Sequence, residues 1–193
     1  MNASTFENFL PEHSIQFIKN WTEGYDLSIK ISFSRKSKLG DYRSLPNQKH
    51  QISINGDLEK ELFFFVLTHE IAHLISLSEN PKIRSHGKEW KDCFSALLRE
   101  SISVYPEDLQ PLILLFSKNP KANYMASPEI VRYFNPNKKG NFVEDLCIGN
   151  VFEFKNERYQ IIAKQKKRYL CENLSSGRKY LFRACAEVKK IDT

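Results

Sequence analysis

The chain has 193 residues, enough for one domain with a small appendage and for a real hydrophobic core. With 41% hydrophobic and 27% charged residues it has the composition of an ordinary globular protein, which excludes a disordered or a membrane-embedded class. Of the net charge of +6, residues 145–193 supply +5, holding 11 Lys and Arg against 6 Asp and Glu, a bias that favours an acidic partner, nucleic acid first among candidates.

Residues 4–22 carry Phe6, Phe9, Leu10, Ile15, Phe17, Ile18 and Trp21 near helical spacing, which predicts one helix beginning near Pro11. Leu27 to Phe33 alternates apolar and polar, the period of a strand with one buried face. Gly40 to Arg43 reads as a turn into a short second strand, and His50 to Asn55 as a third. Asp57 is the expected N-cap of a helix from Leu58 to about Leu77. Ser85 is the expected N-cap of a further helix of about fifteen residues with Trp90, Cys93, Phe94, Leu97 and Leu98 on one stripe, and another apolar helix runs from about Pro106 to Phe116. Residues 135–146 are turn-rich and read as a linker. Beyond it, four short strands are expected at 150–154, 158–163, 169–173 and 179–182. The fold class is therefore α+β: a small antiparallel sheet packed on a long helix and further helices, with a small C-terminal all-β segment. The domains are 1–134, linker 135–146, and a basic β domain 147–193.

Four cysteines form no Cys-x-x-Cys pair, which argues against a zinc ribbon and a disulfide framework. No basic residue precedes an apolar run in residues 1–11, and the longest apolar stretch, 62–67, is too short to span a bilayer. A reducing cytoplasm is the expected location.

The chemistry concentrates in His69-Glu70-Ile71-Ala72-His73. Two histidines four apart share one helix face, so both imidazoles can reach one metal ion, and Glu70 stands beside them as the base of a metal-assisted hydrolysis. Chance produces the motif in about one shuffled chain of this composition in a hundred. Residues 62–77 are apolar on nearly every face, so these three polar groups lie in or beside a core and need partners, which one metal ion would supply. A catalytic zinc takes three protein ligands, and Glu79, His86, Glu89 and Glu100 are candidates for the third. Glu79 and Ser76 stand where the metzincin pattern needs His and Gly, which removes that class.

The motif followed by His86-Gly87-x-x-Trp90-Lys91 resembles the SprT-like metalloproteases, the family of the Spartan proteases; Lys38-Leu39-Gly40 and Ile52-Ser53-Ile54-Asn55 are similar to family features. The resemblance covers roughly residues 10–100. It implies one catalytic Zn2+ held by His69, His73 and His86, Glu70 as general base, and an endopeptidase acting on proteins bound or crosslinked to DNA. Many bacterial members end in a zinc ribbon of paired cysteines, which this chain lacks, so no DNA contact carries over residue by residue. His50 to Asn55 is the expected edge strand for an extended substrate.

His13 and His50 read as surface or strand histidines, Cys93 as a core hydrophobe, and Trp90 as packing under the site. Lys164, Lys166, Lys167 and Arg168 form the densest basic run, interleaved with Tyr159, Tyr169, Tyr180 and Phe182; charge plus exposed aromatics would bind nucleic acid, single strands preferentially. Equally, the aromatics could fill a small core and the charged hairpin blunt a sheet edge. The alternative function is a non-catalytic, zinc-containing DNA-binding or transcription-associated module.

Overall fold

The computed structural model describes residues 6–35, 37–123, 127–134 and 141–191. The chain divides into two compact units, Met1–Ala122 and Asn123–Thr193.

In the first unit, α1 (Ser14–Thr22) leads into a three-stranded sheet of β1 (Asp26–Ser32), β2 (Gly40–Leu45) and β3 (Lys49–Asn55), followed by α2 (Lys60–Glu79), α3 (Lys88–Glu100) and α4 (Gln110–Ser117). The strand order is β1-β3-β2, with β1 parallel and β2 antiparallel to β3. The sheet is thus mixed and not antiparallel, and β3, expected at the edge, is its centre. Alternation marks which face of a strand is buried but is silent on strand order. The β2–β3 turn explains the reversal: Asn47 and Gln48 both take positive φ, and Lys49 N donates to Pro46 O, the geometry of a tight hairpin turn that puts β2 beside β3.

Ile52 and Ile54 on β3 are fully buried against α2, whose Phe63, Phe64, Leu67, Ile71 and Leu74 form the centre of the core with Trp90, Phe94 and Leu98 of α3. Aromatic rings tie the helices together: Phe65 meets Phe94 and Phe116 edge-on, and Phe64 packs on Trp21 and Tyr105. By length and composition α2 could cross a bilayer, but most of its side chains are buried inside the unit, so its apolarity serves the core. Neither expected cap is used: α2 is preceded by Glu59 and α3 by Gly87, and no side chain caps either N-terminus. Asp57 and Ser85 each lie two residues before the observed N-cap position.

The second unit contains α5 (Pro128–Tyr133), β4 (Asn141–Phe142), a short 3-10 turn (Val143–Asp145), β5 (Val151–Phe154), β6 (Glu157–Gln165), β7 (Arg168–Asn173), β8 (Lys179–Arg183) and β9 (Glu187–Ile191). Of the expected linker, 135–140 fall outside the described residues, and from 141 the chain is already strand and turn. The sheet is antiparallel throughout, in the order β4-β9-β5-β6-β7-β8. Its core is Val143, Leu146, Phe152, Tyr159, Ile161, Tyr169, Cys171, Phe182 and Val188. The four expected strands are present, and β4 and β9, too short or too charged to read from the sequence, complete the sheet.

Candidate metal centre

Helix α2 presents His69 and His73 one turn apart, with ring centroids 5.0 Å from each other. The third imidazole comes from the loop before α3. His86 has a positive φ of 57°, a left-handed conformation that costs a non-glycine residue about 1 kcal/mol or more, held by a hydrogen bond from Gly87 N to Arg84 O at 2.8 Å. That turn directs the ring back onto α2: His86 Nε2 lies 2.9 Å from His73 Nε2 and 3.3 Å from His69 Nε2. All three ligand atoms fall within 4.8 Å of one another, so His69, His73 and His86 are close enough to bind one metal ion. Two nitrogens bound tetrahedrally at ~2.0–2.1 Å from one ion stand about 3.3 Å apart, close to the 2.9 and 3.3 Å that His86 Nε2 keeps from the other two imidazoles.

The electrostatics point the same way. Burial pushes His69 down to about 3, with the His73 and His86 rings adding to the effect, and pushes His73 down to about 4, with His86 adding; burial also lowers His86. The imidazoles are therefore neutral near pH 7 and offer lone pairs. Trp90, fully buried, backs the cluster: its ring lies 4.7 Å from His69, 5.2 Å from His73 and 4.6 Å from His86, and its Nε1–H donates to His69 O at 3.4 Å. Trp90 thus packs under the site, as the sequence predicts.

Glu70 leaves α2 on the side facing β2, and only 7% of its surface is exposed. A Cβ added at Gly40 would sit 2.6 Å from Glu70 Oε1 and 2.7 Å from Val66 Cγ1, so only glycine lets β2 approach the carboxylate this closely. The backbone N–H of Tyr42 donates to the carboxylate. Burial, with the Asp41 carboxylate adding, pushes Glu70 up to about 8 against the opposing pull of Lys38, that N–H and Arg35. A carboxyl with a pKa near neutrality, one residue from a metal-competent cluster, is suited to accept and release protons.

The loop that delivers Gly40 is clamped. Asn55, 1% exposed, accepts from Arg35 Nε at 2.8 Å and donates to Arg35 O at 3.1 Å and Lys38 O at 3.3 Å, while its backbone N–H donates to Leu39 O. Arg35 further donates to Ser53 Oγ and Ser53 O. Tyr42 stands against the cluster, its ring nearly parallel to His73 (8°, 6.4 Å) and its hydroxyl 3.0 Å from His50 Nδ1.

The other sequence candidates are placed elsewhere. Glu100 accepts from Trp21 Nε1, Glu79 acts electrostatically on Tyr25 and Cys93, and Glu89 lies beside Gly87. His50 is a strand residue outside the trio, and His13 is an exposed residue just before α1. Gly40, Tyr42, Arg35 and Asn55 carry no motif signal of their own. Only the similarity of the segments around Gly40 and Asn55 to family features marked the region.

In the second unit, Lys164, Lys166, Lys167 and Arg168 are all exposed on the β6–β7 hairpin, Lys166 with positive φ in its turn. Lys164 Nζ lies over the Tyr169 ring at 5.4 Å. Arg183 on β8, which the sequence reading passed over, is directly opposite Arg168. Among the described residues no ion pair reaches these five cations. The expected stacking aromatics are mostly core: Tyr159, Tyr169 and Phe182 are buried, and Tyr180, half-exposed, rests edge-on against Tyr159.

No protein-family model matches the chain, and neither a curated protein nor a solved structure matches it.

Proposed function

We propose that this protein is a zinc-dependent endopeptidase of the SprT-like kind. The observation that carries the reading is the convergence of three neutral imidazole nitrogens beside a buried carboxylate that faces the outer strand of a sheet. A structural zinc site closes with four protein ligands, whereas three histidines with an adjacent glutamate form the donor set of a hydrolytic one.

His69, His73 and His86 would hold the zinc, which when bound would supply Lewis-acid polarisation of a peptide carbonyl and water that ionises near about pH 7. Glu70 accepts the proton of the attacking water and passes it to the leaving amine. Gly40 keeps β2 in contact with Glu70, and Trp90 fixes the imidazoles from behind. The substrate lies extended along β2, the edge strand that meets Glu70, in place of β3; main-chain hydrogen bonds there hold a peptide without demanding a particular sequence.

The substrates are proteins bound or crosslinked to DNA. Lys164, Lys166, Lys167, Arg168 and Arg183, which no ion pair reaches among the described residues, support this part. Arg168 and Arg183 stand opposite each other across two strands, an arrangement that is unfavourable unless a polyanion neutralises it. With three of four aromatics in the core, phosphate contact carries the binding, and a preference for single strands loses its stacking argument. The same cations favour a second reading, a zinc-containing DNA-binding module without turnover.

Purified protein should contain about one zinc per chain and cleave a DNA-bound protein substrate, and Glu70→Gln should lose cleavage while keeping its zinc. Equal activity of wild type and Glu70→Gln overturns the protease reading. Stoichiometric DNA binding with no cleavage in the presence of any form of DNA selects the second one.

A further inference from the structure

Tyr42 of β2 links the candidate centre to a histidine outside it. Its ring lies nearly parallel to the His73 ring (8°, 6.4 Å), and its hydroxyl is 3.0 Å from His50 Nδ1. His50 is itself set by the hairpin, since it opposes Ser44 on β2 and its ring packs on Tyr42 (6.0 Å, 19°) and edge-on against Tyr25 (5.8 Å).

Resting on the endopeptidase reading, we propose that Tyr42 is a catalytic residue of this centre: its neutral phenol donates a hydrogen bond to the oxyanion formed from the attacked peptide carbonyl, and His50 holds the phenol for that task. With the proton on His50 Nδ1 the imidazole donates to the phenol oxygen and leaves the phenol hydrogen free for the substrate; in the other tautomer Nδ1 accepts that hydrogen, and the two tautomers exchange by taking a proton from water at one ring nitrogen and releasing one to water from the other. The phenol keeps its proton throughout. A hydrogen bond to a full negative charge is stronger than one to a neutral imidazole, so the interaction grows as the oxyanion develops, which is what lowers a barrier.

The substitution Tyr42→Phe keeps the ring, the contact with His73 and the backbone bond to Glu70, and removes only the hydroxyl. The zinc-loaded full chain is compared as wild type, Tyr42→Phe, His50→Gln and Tyr25→Phe, the last as a control that keeps the ring packed edge-on against His50. For Tyr42→Phe, kcat should fall about 10²-fold with KM nearly unchanged, the thermal midpoint and zinc content should match wild type, and a phosphinic peptide that mimics the tetrahedral oxyanion should bind at least about tenfold more weakly. His50→Gln should show a smaller loss of kcat, and Tyr25→Phe none. Wild-type kcat and phosphinic-peptide affinity in Tyr42→Phe overturn the role of Tyr42 and leave the endopeptidase reading standing. A wild type that neither cleaves nor binds the phosphinic peptide overturns both.

Discussion

Gly40→Ala is the sharpest probe of how the sheet serves the candidate centre. Gly40 lies in β2 without a positive φ, so the effect of the change is steric and not conformational. The new methyl would lie 2.6 Å from Glu70 Oε1 and 2.7 Å from Val66 Cγ1, roughly 0.9 and 0.8 Å inside the ~3.5 Å optimum. The Glu70 carboxylate is the end of a flexible chain, yet it is buried and bonded to the Tyr42 N–H, and Val66 belongs to the helix that carries the motif. Either β2 moves outward and breaks that bond, or Glu70 swings away from the histidines. Overpacking of this kind costs about 1–3 kcal/mol, which for a unit of this size lowers the thermal midpoint by about 3–10 °C. A displacement near 1 Å at a reacting group costs about 10²-fold in kcat. Differential scanning fluorimetry and peptide-cleavage kinetics on the variant measure the two consequences. Cleavage within about twofold of wild type together with an unchanged midpoint would refute the claim that this contact positions Glu70.

Three further outcomes are expected. In metal-free protein, His69 and His73 are pushed by burial below the ~6.5 of an unfolded histidine, so between about pH 6.5 and 4 the unfolded chain binds the extra protons and stability falls with falling pH. Glu70, pushed up to about 8, acts oppositely, favouring the folded state below that pH and losing the contribution as pH rises through 8, so urea midpoints should peak near pH 6.5 and fall more steeply toward acid in Glu70→Gln; a flat profile from pH 7 to 4.5 would contradict this. Asn55→Ala strands Arg35 and the Leu39 region, and should cost about 2–4 kcal/mol in chemical denaturation; a loss under about 0.5 kcal/mol would show that the clamp is dispensable. Arg168→Gln and Arg183→Gln should each make the log–log dependence of DNA affinity on salt shallower by about one unit, with a thermal midpoint equal to or above wild type because a like-charge pair is relieved; an unchanged salt slope removes these arginines from the interface.

Much of the first unit is legible locally. The alternation of β1 and β3, the apolar length of α2 and the stripe of α3 each reflect a periodicity that the backbone imposes within a few residues, and all four elements lie close to their expected positions. The helix starts fall two residues later than expected: Asp57 and Ser85 are good caps by residue type, but Glu59 and Gly87 precede α2 and α3. In the second unit, aromatic positions in strands were readable as strands but not as inside or outside. Tyr169 and Lys164 are neighbours in register, one in the core and the other on the surface.

His69, Glu70 and His73 were determined by the sequence, because i, i+4 spacing on a helix fixes their relation whatever surrounds it. His86 was one of four candidates on chemistry alone, and its selection depends on a left-handed turn that brings a loop residue back across to α2. Which strand meets Glu70 was decided only in three dimensions. The hairpin at Asn47 and Gln48 places β2 outside β3, and that order brings Gly40 against Glu70 and the Tyr42 ring beside His73. Residues thirty apart in the chain meet there through strand pairing and core burial, and neither leaves a local period to read.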